Sequence, residues 1–336
     1  MQDVAAVDRV NVSPSRATAA SRIRPFVSAR SRIIQQSNGE SSVVLWTAVS
    51  PRPAGHFRDR LFVLPALAGL DTIAVVHWGD FDSLFSNKLT RHSAKRLVRS
   101  VRGFVFLDES LSEKCAAWIP EAQRYVVPNT IDEDILCSAD EVEKARAARR
   151  SSQPFRLLFV GNMITSKGYL DVLRSISILA KDGSVAVDFV GRWYRKDERQ
   201  AFEQEVARLE LTSLVRHHGP ITERGIIKKM LLSAHVLALP TYYAAEAQPI
   251  VILEAINAGT PIVTTRHAGI PLMTGSDAAV FVGARNPTAV ANAVRTLMET
   301  ARWDEISRAA RQRFEKSFSP DHVRSRWVEV VSRVAH

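Results

Sequence analysis

The sequence predicts an α/β protein with two doubly wound domains, each a parallel sheet covered by helices on both faces. Short continuous apolar runs alternate with helix-length segments, which is the pattern of strands that are buried on both sides. The chain has 336 residues, enough for two domains at roughly 150 residues each. Its 46% of hydrophobic and 24% of charged residues indicate a globular protein and exclude collagen-like, coiled-coil and disordered classes.

The strand pattern is most regular in the second half of the chain. Strands are predicted there at residues 155–160, 185–190, 235–239 and 261–265. After the first of them, Tyr169, Leu173, Ile176 and Ala180 form the stripe of a covering helix. The first half repeats the pattern less fully, with strands predicted at residues 43–48, 72–78, 104–107 and 125–127. A parallel sheet is therefore expected in each half.

We place the domain boundary after residue 150, which gives an amino-terminal domain with a hinge over residues 1–150 and a carboxyl-terminal domain over residues 151–336. The segment 132–153 is charged, and its residues 141–150 favour a helix. This segment is the predicted connection between the two domains.

The chain carries a net charge of +10, which implies an anionic partner without naming it. Five basic residues recur at helical spacing between positions 88 and 102 and predict a helix with one basic face: Lys88, Arg91, Lys95, Arg99 and Arg102. This face is either solvated, bound to an anionic membrane surface or bound to nucleic acid. Nucleic acid is disfavoured because no aromatic residues interleave with the charges as stacking platforms.

The cysteines and the apolar segments exclude several classes. Cys115 and Cys137 are the two cysteines, without the spacing of a zinc site or a disulfide framework. No window approaches 18 uncharged apolar residues, and the first 20 residues lack the apolar core of an export signal. A cytoplasmic protein is expected.

The most informative segment is a predicted helix between Pro249 and Gly259. Proline suits the first helical position and glycine the left-handed residue after a helix end, so a helix of about three turns is expected between them. Its apolar residues lie on every side, so it should be buried all round, yet it carries one charge, Glu254, and a buried carboxylate needs partners. Those partners are either an arginine or a neighbouring loop, or the hydroxyl groups of a bound ribose. Glu246 lies in the loop before the helix, where the free N–H groups of the first turn attract an anion.

The spacing of Glu246 and Glu254, followed by Ala-x-x-Ala-Gly-Thr-Pro-Ile-Val, resembles the retaining nucleotide-sugar glycosyltransferases of family 4. That resemblance implies the GT-B fold, in which two Rossmann-like domains face each other across a cleft. It also implies that Glu254 binds the ribose of the nucleotide and that Glu246 lies near the donor sugar. Three residues between them are predicted to contact the donor as well: Gln248, Pro249 and Ile250.

Two further blocks support the resemblance. The run from Gly161 to Gly168 is similar to the family's Gly-Arg-x-x-x-x-Lys-Gly loop, whose cations hold the diphosphate, so Lys167 is predicted to be catalytic. Asn162 stands where arginine is commoner, and Arg192 is expected to supply the second cation. The turn at Gly269 and Ile270 resembles the family's glycine turn, whose N–H groups approach the diphosphate, with Leu272 in place of the usual glutamate.

The amino-terminal half matches the family only in patches. His77, at the end of a predicted strand, is expected to hydrogen-bond the donor sugar or the acceptor, and the alternative is a loop histidine with a satisfied ring. Asp80 and Asp82 form a D-x-D pattern that in another glycosyltransferase fold binds a metal; here we expect no metal. The family's first strand and glycine-rich turn are not recognised, and the chain begins near a predicted helix around residues 10–35.

The resemblance implies a transferase that moves a sugar from a nucleotide diphosphate sugar to a glycan or lipid-linked acceptor with retention of configuration. No cofactor, metal or nucleic acid is expected. The alternative is a non-catalytic partner subunit that binds nucleotide sugars, motivated by Asn162, Leu272 and the absent first strand. The expected location is cytoplasmic, peripheral on the inner face of a membrane.

Overall fold

The computed structural model describes residues 43–47 and 49–335. They form two compact units, each with its own parallel sheet. The helix predicted around residues 10–35 lies outside the described residues, and so does the segment in which the family's first strand was not recognised. The prediction of two parallel-sheet α/β units is confirmed.

The first unit contains four strands among the described residues: β1 (Val43–Trp46), β2 (Asp71–Val76), β3 (Gly103–Phe106) and β4 (Arg124–Val126). Its helices up to residue 128 are α1 (Pro53–Arg58), α2 (Leu64–Leu67), α3 (Ser83–Ser86), α4 (Arg91–Ser100) and α5 (Glu109–Lys114). A π-helical turn at Asp59–Val63 joins α1 to α2, and a 3₁₀ turn at Glu121–Gln123 precedes β4. The strands pair in parallel in the order β1-β2-β3-β4.

The second unit contains six strands: β5 (Phe155–Val160), β6 (Val185–Val190), β7 (Val215–His217), β8 (Val236–Leu239), β9 (Ile262–Thr265) and β10 (Ala279–Val282). Its helices are α6 (Ala139–Ser151), α7 (Tyr169–Leu179), α8 (Lys196–Arg208), α9 (Arg224–Ser233), α10 (Ile250–Asn257), α11 (Ile270–Thr274), α12 (Pro287–Met298) and α13 (Thr300–Ser317). Two 3₁₀ turns of this unit lie at Glu133–Ile135 and Thr165–Lys167. The chain then continues into α14 (Pro320–Ala335), most of which belongs to the first unit.

The strand order of the second sheet indicates the edge at which a ligand is expected to bind. Its strands pair in parallel in the order β10-β9-β8-β5-β6-β7, so the chain proceeds outward from β5 in one direction and then from β8 in the other. In doubly wound sheets ligands bind outside the carboxyl ends of the strands, where the order reverses. In this unit that position lies between β5 and β8, which are hydrogen-bonded neighbours.

All eight predicted strands occur close to their predicted bounds, and β7 and β10 were not predicted. β7 has three residues, two of them the polar Arg216 and His217, so it lacks the apolar run that marks a buried strand. The stripe of Tyr169, Leu173 and Ile176 is buried on α7, as predicted.

The two units divide between Pro128 and Asn129 and again between His322 and Val323, whereas the sequence placed a single boundary after residue 150. Two physical reasons account for the difference. The predicted connection contains α6, which packs within the second unit. The final helix α14 belongs to the first unit, where Val323, Val330 and Val334 pack with the apolar face of β2 and β3.

The segment 132–153 is therefore not a linker. Its helix α6 begins with a capping box in which Ser138 and Glu141 bond to each other's backbone N–H groups. Arg149 near its end is 3% exposed, and it donates hydrogen bonds to the carbonyl of Ala234 and the hydroxyl of Thr260, both at 3.0 Å. These contacts hold α6 against the second unit.

Two predicted helices are shorter in the structure. α4 runs over Arg91–Ser100, so Lys88 lies before it and Arg102 after it, where Arg102 pairs with Asp71 at 2.7 Å. α10 has eight residues, about two turns, because Pro249 caps the helix instead of starting it. Gly259 after it has a φ of 60°, as predicted for a left-handed helix end.

Within residues 43–47 and 49–335, no helix has the length and apolarity needed to cross a bilayer.

Candidate functional site

The loops that follow β5 and β8 meet at the reversal point of the second sheet. The N–H of Tyr242, in the loop after β8, donates to the carbonyl of Ser166, in the loop after β5, at 2.8 Å. Gly168 has a φ of 84°, and a Cβ there would lie 2.5 Å from the carbonyl oxygen of Pro240. Glycine is needed at this position both for its backbone conformation and for the close approach of the two loops.

Lys167 and Glu246 form an ion pair between these two loops. Lys167 Nζ lies 2.5 Å from Glu246 Oε2, and the side chains are 15% and 10% exposed. Nζ also lies 5.3 Å from the centre of the Tyr243 ring, within the range of a cation–π contact. The hydroxyl of Thr241 approaches the same carboxylate oxygen at 3.5 Å. The structure thus joins two predicted site residues that are separated by 79 positions.

The pair lies where two helices begin. Lys167 ends the 3₁₀ turn before α7, and Glu246 precedes α10. The first N–H groups of a helix have no acceptor within it, and the helix dipole favours negative charge there. A cation beside two such helix starts forms a site for an anionic group of the size of a phosphate.

Glu254 lies on α10, is 3% exposed, and is paired with Arg224 from the start of α9. Burial raises the pKa of the Glu254 carboxyl, and the charge of Arg224 opposes that shift. The structure therefore provides the arginine partner that was one of the two alternatives for this carboxylate. The other alternative, a bound ribose, is compatible with it because a carboxylate has two oxygens.

A depression of about 220 Å³ opens beside the loop after β5. Gly161, Asn162 and Arg192 line it together with Pro220 and Ile221. The strand ends approach closely here, since a Cβ on Gly191 would lie 1.8 Å from the carbonyl oxygen of Gly161. The structure thus groups three of the predicted donor-binding residues, and it adds Pro220 and Ile221, which the sequence did not single out.

The turn at Gly269 differs from the expectation. The N–H of Gly269 donates to the carbonyl of Ala247 at 3.2 Å, and the N–H of Ile270 donates to the carbonyl of His267 at the same distance. Both N–H groups that were predicted to face the diphosphate are therefore engaged within the protein. The bond from Gly269 connects the turn to the loop that carries Glu246, and the bond from Ile270 lies within the turn.

Gln248, Pro249 and Ile250 lie at the start of α10. The side-chain oxygen of Gln248 accepts a 2.7 Å hydrogen bond from the N–H of Asn129, so this side chain anchors the segment that enters the second unit. Pro249 caps the helix, and Ile250 is 40% exposed. The prediction that α10 is buried on every side is therefore wrong at its first residue.

His77 follows β2 in the first unit and is exposed, and so it is not one of the residues that the second unit brings together. Asp80 pairs with Arg52 at 3.1 Å, a contact that uses one carboxylate of the D-x-D pattern. The described residues contain no group of three or more His, Cys, Asp or Glu side chains that could hold a metal ion.

Besides Pro220 and Ile221, sequence reasoning did not single out three residues that contact Lys167, Glu246 or Glu254. Thr241 and Tyr243 support the Lys167–Glu246 pair, and their place directly after a strand was the available signal. Arg224 lies 30 positions from Glu254 on a separate helix, and no local pattern in the sequence connects them.

Comparisons with known proteins identify the family and the fold of the chain. The sequence profile of the family described as glycosyl transferases group 1 matches residues 141–316. Among curated proteins, the chain is 24% identical over 189 residues to the amylovoran biosynthesis glycosyltransferase AmsK of Erwinia amylovora, covering 54% of this chain and 46% of that protein. It is 22% identical over 202 residues to the O-antigen chain mannosyltransferase B of Escherichia coli, covering 58% and 52%. The chain thus spans about half the length of the curated relatives that it matches.

Solved structures share the fold across most of the chain. Sucrose-phosphate synthase from Thermosynechococcus elongatus superposes with a TM-score of 0.72 at 15% identity, covering 97% of this chain and 82% of that one. HepE from Anabaena, solved in complex with UDP and glucose, superposes with a TM-score of 0.68 at 16% identity, covering 90% and 81%. Because the family profile matches more than half of its residues, this chain belongs to the glycosyl transferases group 1 and has the GT-B fold.

Proposed function

We propose that this glycosyltransferase moves a sugar from a nucleotide diphosphate sugar to an acceptor hydroxyl with retention of configuration. The observation that carries the proposal is the Lys167–Glu246 ion pair between two helix starts at the reversal point of the second sheet. The cation and the helix starts suit a diphosphate, and a carboxylate next to them suits sugar hydroxyls.

In the proposed reaction the bond between the anomeric carbon and the β-phosphate oxygen breaks, and the acceptor oxygen bonds to that carbon and gives its proton to the departing phosphate oxygen. Negative charge grows on the departing diphosphate, and positive charge grows on the sugar. Lys167 and the N–H groups at the start of α10 stabilise the negative charge on the diphosphate. The carboxylate of Glu246 stabilises the positive charge on the sugar. Because Lys167 supplies the cation, we propose that no metal is required.

The depression lined by Gly161, Asn162 and Arg192 adjoins the loop of Lys167, and we propose that it receives the nucleoside side of the donor. Arg192 then supplies the second cation in the place of the arginine that Asn162 replaces. HepE, which shares this fold, binds UDP and glucose, and this supports the same class of donor.

We further propose an acceptor in surface polysaccharide or lipid-linked glycan synthesis. The support is that one curated relative is named for amylovoran biosynthesis and the other for the O-antigen chain. His77 in the first unit is the residue that we propose for contact with the acceptor or donor sugar.

The proposed function is tested by incubating the purified chain with UDP-, GDP- and ADP-sugars and measuring release of the nucleoside diphosphate. We expect release from one class of donor, slow without acceptor and faster with a lipid-linked glycan fraction. EDTA should leave the rate unchanged. A chain that binds a donor and releases nothing under any condition would instead be the non-catalytic partner subunit, and activity lost in EDTA and restored by Mn²⁺ would overturn the metal-free proposal.

Glu254→Gln should weaken nucleotide binding while leaving the fold intact. The amide keeps the shape of the side chain but removes a charged acceptor, and a hydrogen bond to a charged group is worth roughly 1.5–3 kcal/mol. Calorimetric titration with the nucleoside diphosphate measures the loss. Unchanged affinity would assign Glu254 to the packing of α10 against α9 alone.

We propose that the protein binds an anionic membrane surface on the cytoplasmic side through the exposed face of α4. That face carries Arg91, Lys95, Arg96 and Arg99, all exposed. No carboxylate of the described residues forms an ion pair with any of the four. Lys88 and the 71% exposed Leu89 precede the helix, whereas Arg102 is paired and does not contribute. Each unpaired basic residue near such a surface contributes about 1 kcal/mol.

Sedimentation with vesicles tests this face. We expect binding to vesicles that contain anionic lipid at low salt, release at high salt, and no binding to neutral vesicles. Reversing two charges with Lys95→Glu and Arg96→Glu should abolish binding. The matched control is Lys181→Glu with Lys316→Glu, which makes the same change in net charge on exposed lysines of the second unit and should bind as the wild type does. Equal loss in both variants would mean that net charge, not α4, governs association.

A further inference from the structure

The side chain that holds Glu254 has an unusual position on its own helix. Arg224 is the first residue of α9, where the helix dipole disfavours a cation. Its side chain is 32% exposed, against 4% for the carboxylate of Glu254. The helix therefore gains nothing from this charge, and the buried carboxylate explains why an arginine stands there.

Arg224 faces two carboxylates of the second unit. One of its terminal nitrogens, Nη2, bonds to Oε1 of Glu254. Its Nε is buried without a hydrogen-bond partner and lies 4.0 Å from Oδ2 of Asp132, whose side chain is 79% exposed. The guanidinium thus lies between a buried acid and an exposed one, and Asp132 attracts it from the solvent side.

The contact uses one oxygen of Glu254. Among the hydrogen bonds of the described residues, Nη2 of Arg224 donates to Oε1 of Glu254, and no donor reaches Oε2. A carboxylate has about four lone-pair sites, so the held oxygen anchors the group and the other remains to accept hydroxyl protons.

We propose that Arg224 is a positioning residue for the donor ribose: it fixes and charges the Glu254 carboxylate through Oε1 and leaves Oε2 to accept from the ribose hydroxyls. This inference rests on the proposed function and deepens it, because it assigns a role to a residue that does not itself touch the donor. Arginine suits the task since its charge persists at every physiological pH.

The electrostatics of the site support the same assignment. Burial raises the pKa of Glu254, the charge of Arg224 lowers it, and Asp132 raises it slightly. These are the charged groups that face the carboxylate. On the opposite side of α10, Arg311 of α13 bonds to the carbonyl and amide oxygens of Asn257, while β9 and α11 carry no titratable residue. Without Arg224 the carboxylate protonates at a higher pH, and a protonated carboxyl is a weaker acceptor.

The test is the pH dependence of nucleotide affinity. UDP, GDP and ADP are titrated into the wild type, and the one that binds is titrated into Arg224→Ala, Arg224→Gln and Arg224→Lys between about pH 5.5 and 8.5. The terminal phosphate of the nucleotide titrates in this range as well, so each profile is compared with that of the wild type. The Ala and Gln variants should lose additional affinity as the pH falls, by up to about tenfold per pH unit below the pKa of Glu254. Arg224→Lys, which keeps the charge, should restore the wild-type profile.

A double-variant cycle separates positioning from direct contact. In the Glu254→Gln background, Arg224→Ala should change affinity by less than about twofold, because the carboxylate through which it acts is gone. This double variant has no unpaired buried carboxylate, and thermal melting compares its fold with that of each single variant. A loss on Arg224→Ala that is equally large in both backgrounds, or a wild-type profile for Ala and Gln, would overturn the positioning role.

The outcomes also distinguish this inference from the proposed function. If the wild type binds none of the three nucleoside diphosphates, the proposed donor class is wrong and the role of Arg224 falls with it. If a nucleotide binds and Glu254→Gln has no effect, the ribose role of Glu254 is wrong. If Glu254→Gln weakens binding and the Arg224 variants do not, Arg224 alone is wrongly assigned.

Discussion

Lys167→Ala should lower kcat by about 10²–10³-fold, the usual effect of removing one group that stabilises charge developing in a transition state. Charge on the departing diphosphate grows as the glycosyl bond breaks, so the ammonium group contributes more to the transition state than to the bound donor. Steady-state kinetics at saturating donor should therefore show a much larger loss in kcat than in donor affinity.

Two controls separate this effect from a loss of local structure. Lys167→Ala leaves Glu246, with 10% of its side chain exposed, without its cation. The double variant with Glu246→Gln removes that unpaired charge and should be no more active. Lys181→Ala changes an exposed lysine of the same unit and should leave the kinetics unaltered. Lys167→Ala could instead lower donor affinity and kcat/KM by the same factor and leave kcat unchanged. Lys167 would then contact the phosphate equally strongly in the bound donor and in the transition state.

The sequence predicted the parts of this site that are local in the chain. Lys167 directly follows a regular apolar strand, and Glu246 and Glu254 bracket the start of a helix, so their positions relative to β5, β8 and α10 follow from the pattern of strand, turn and helix. The parallel sheet then brings the loops together, because the carboxyl ends of its strands share one edge.

The parts that the sequence did not predict depend on contacts between distant segments. The partner of Glu254 is Arg224 on another helix, and several arginines were equally eligible by type. The stripe of Val323, Val330 and Val334 on α14 shows that one face is buried but does not say against which sheet. For the same reason a boundary after residue 150 was inferred from charge and helix propensity, although α6 is held by buried contacts to the second unit.

Arg149→Ala should destabilise the second unit by about 3 kcal/mol or more, because each hydrogen bond to a charged group is worth roughly 1.5–3 kcal/mol and its buried acceptors remain after the arginine is gone. Arg149 donates to Ala234 and Thr260 at 3.0 Å and to the carbonyl of Ala258 at 3.3 Å. Its guanidinium also lies 5.0 Å from the centre of the Trp303 ring. Burial of the charge lowers the pKa of Arg149 to about 10, and these acceptors hold it in place of a carboxylate.

Arg150→Ala is the matched control, one residue further along α6. Arg150 pairs with Asp304 at the surface, with its side chain 41% exposed, and exposed ion pairs contribute about 0–1 kcal/mol. Urea denaturation of both variants measures the two free energies of unfolding. If residues 132–153 only connected two domains, the two substitutions would have equally small effects. A large loss for Arg149 and a small one for Arg150 would demonstrate that α6 is a structural element of the second unit. A fragment that begins at residue 151, and so lacks α6, should then fail to fold.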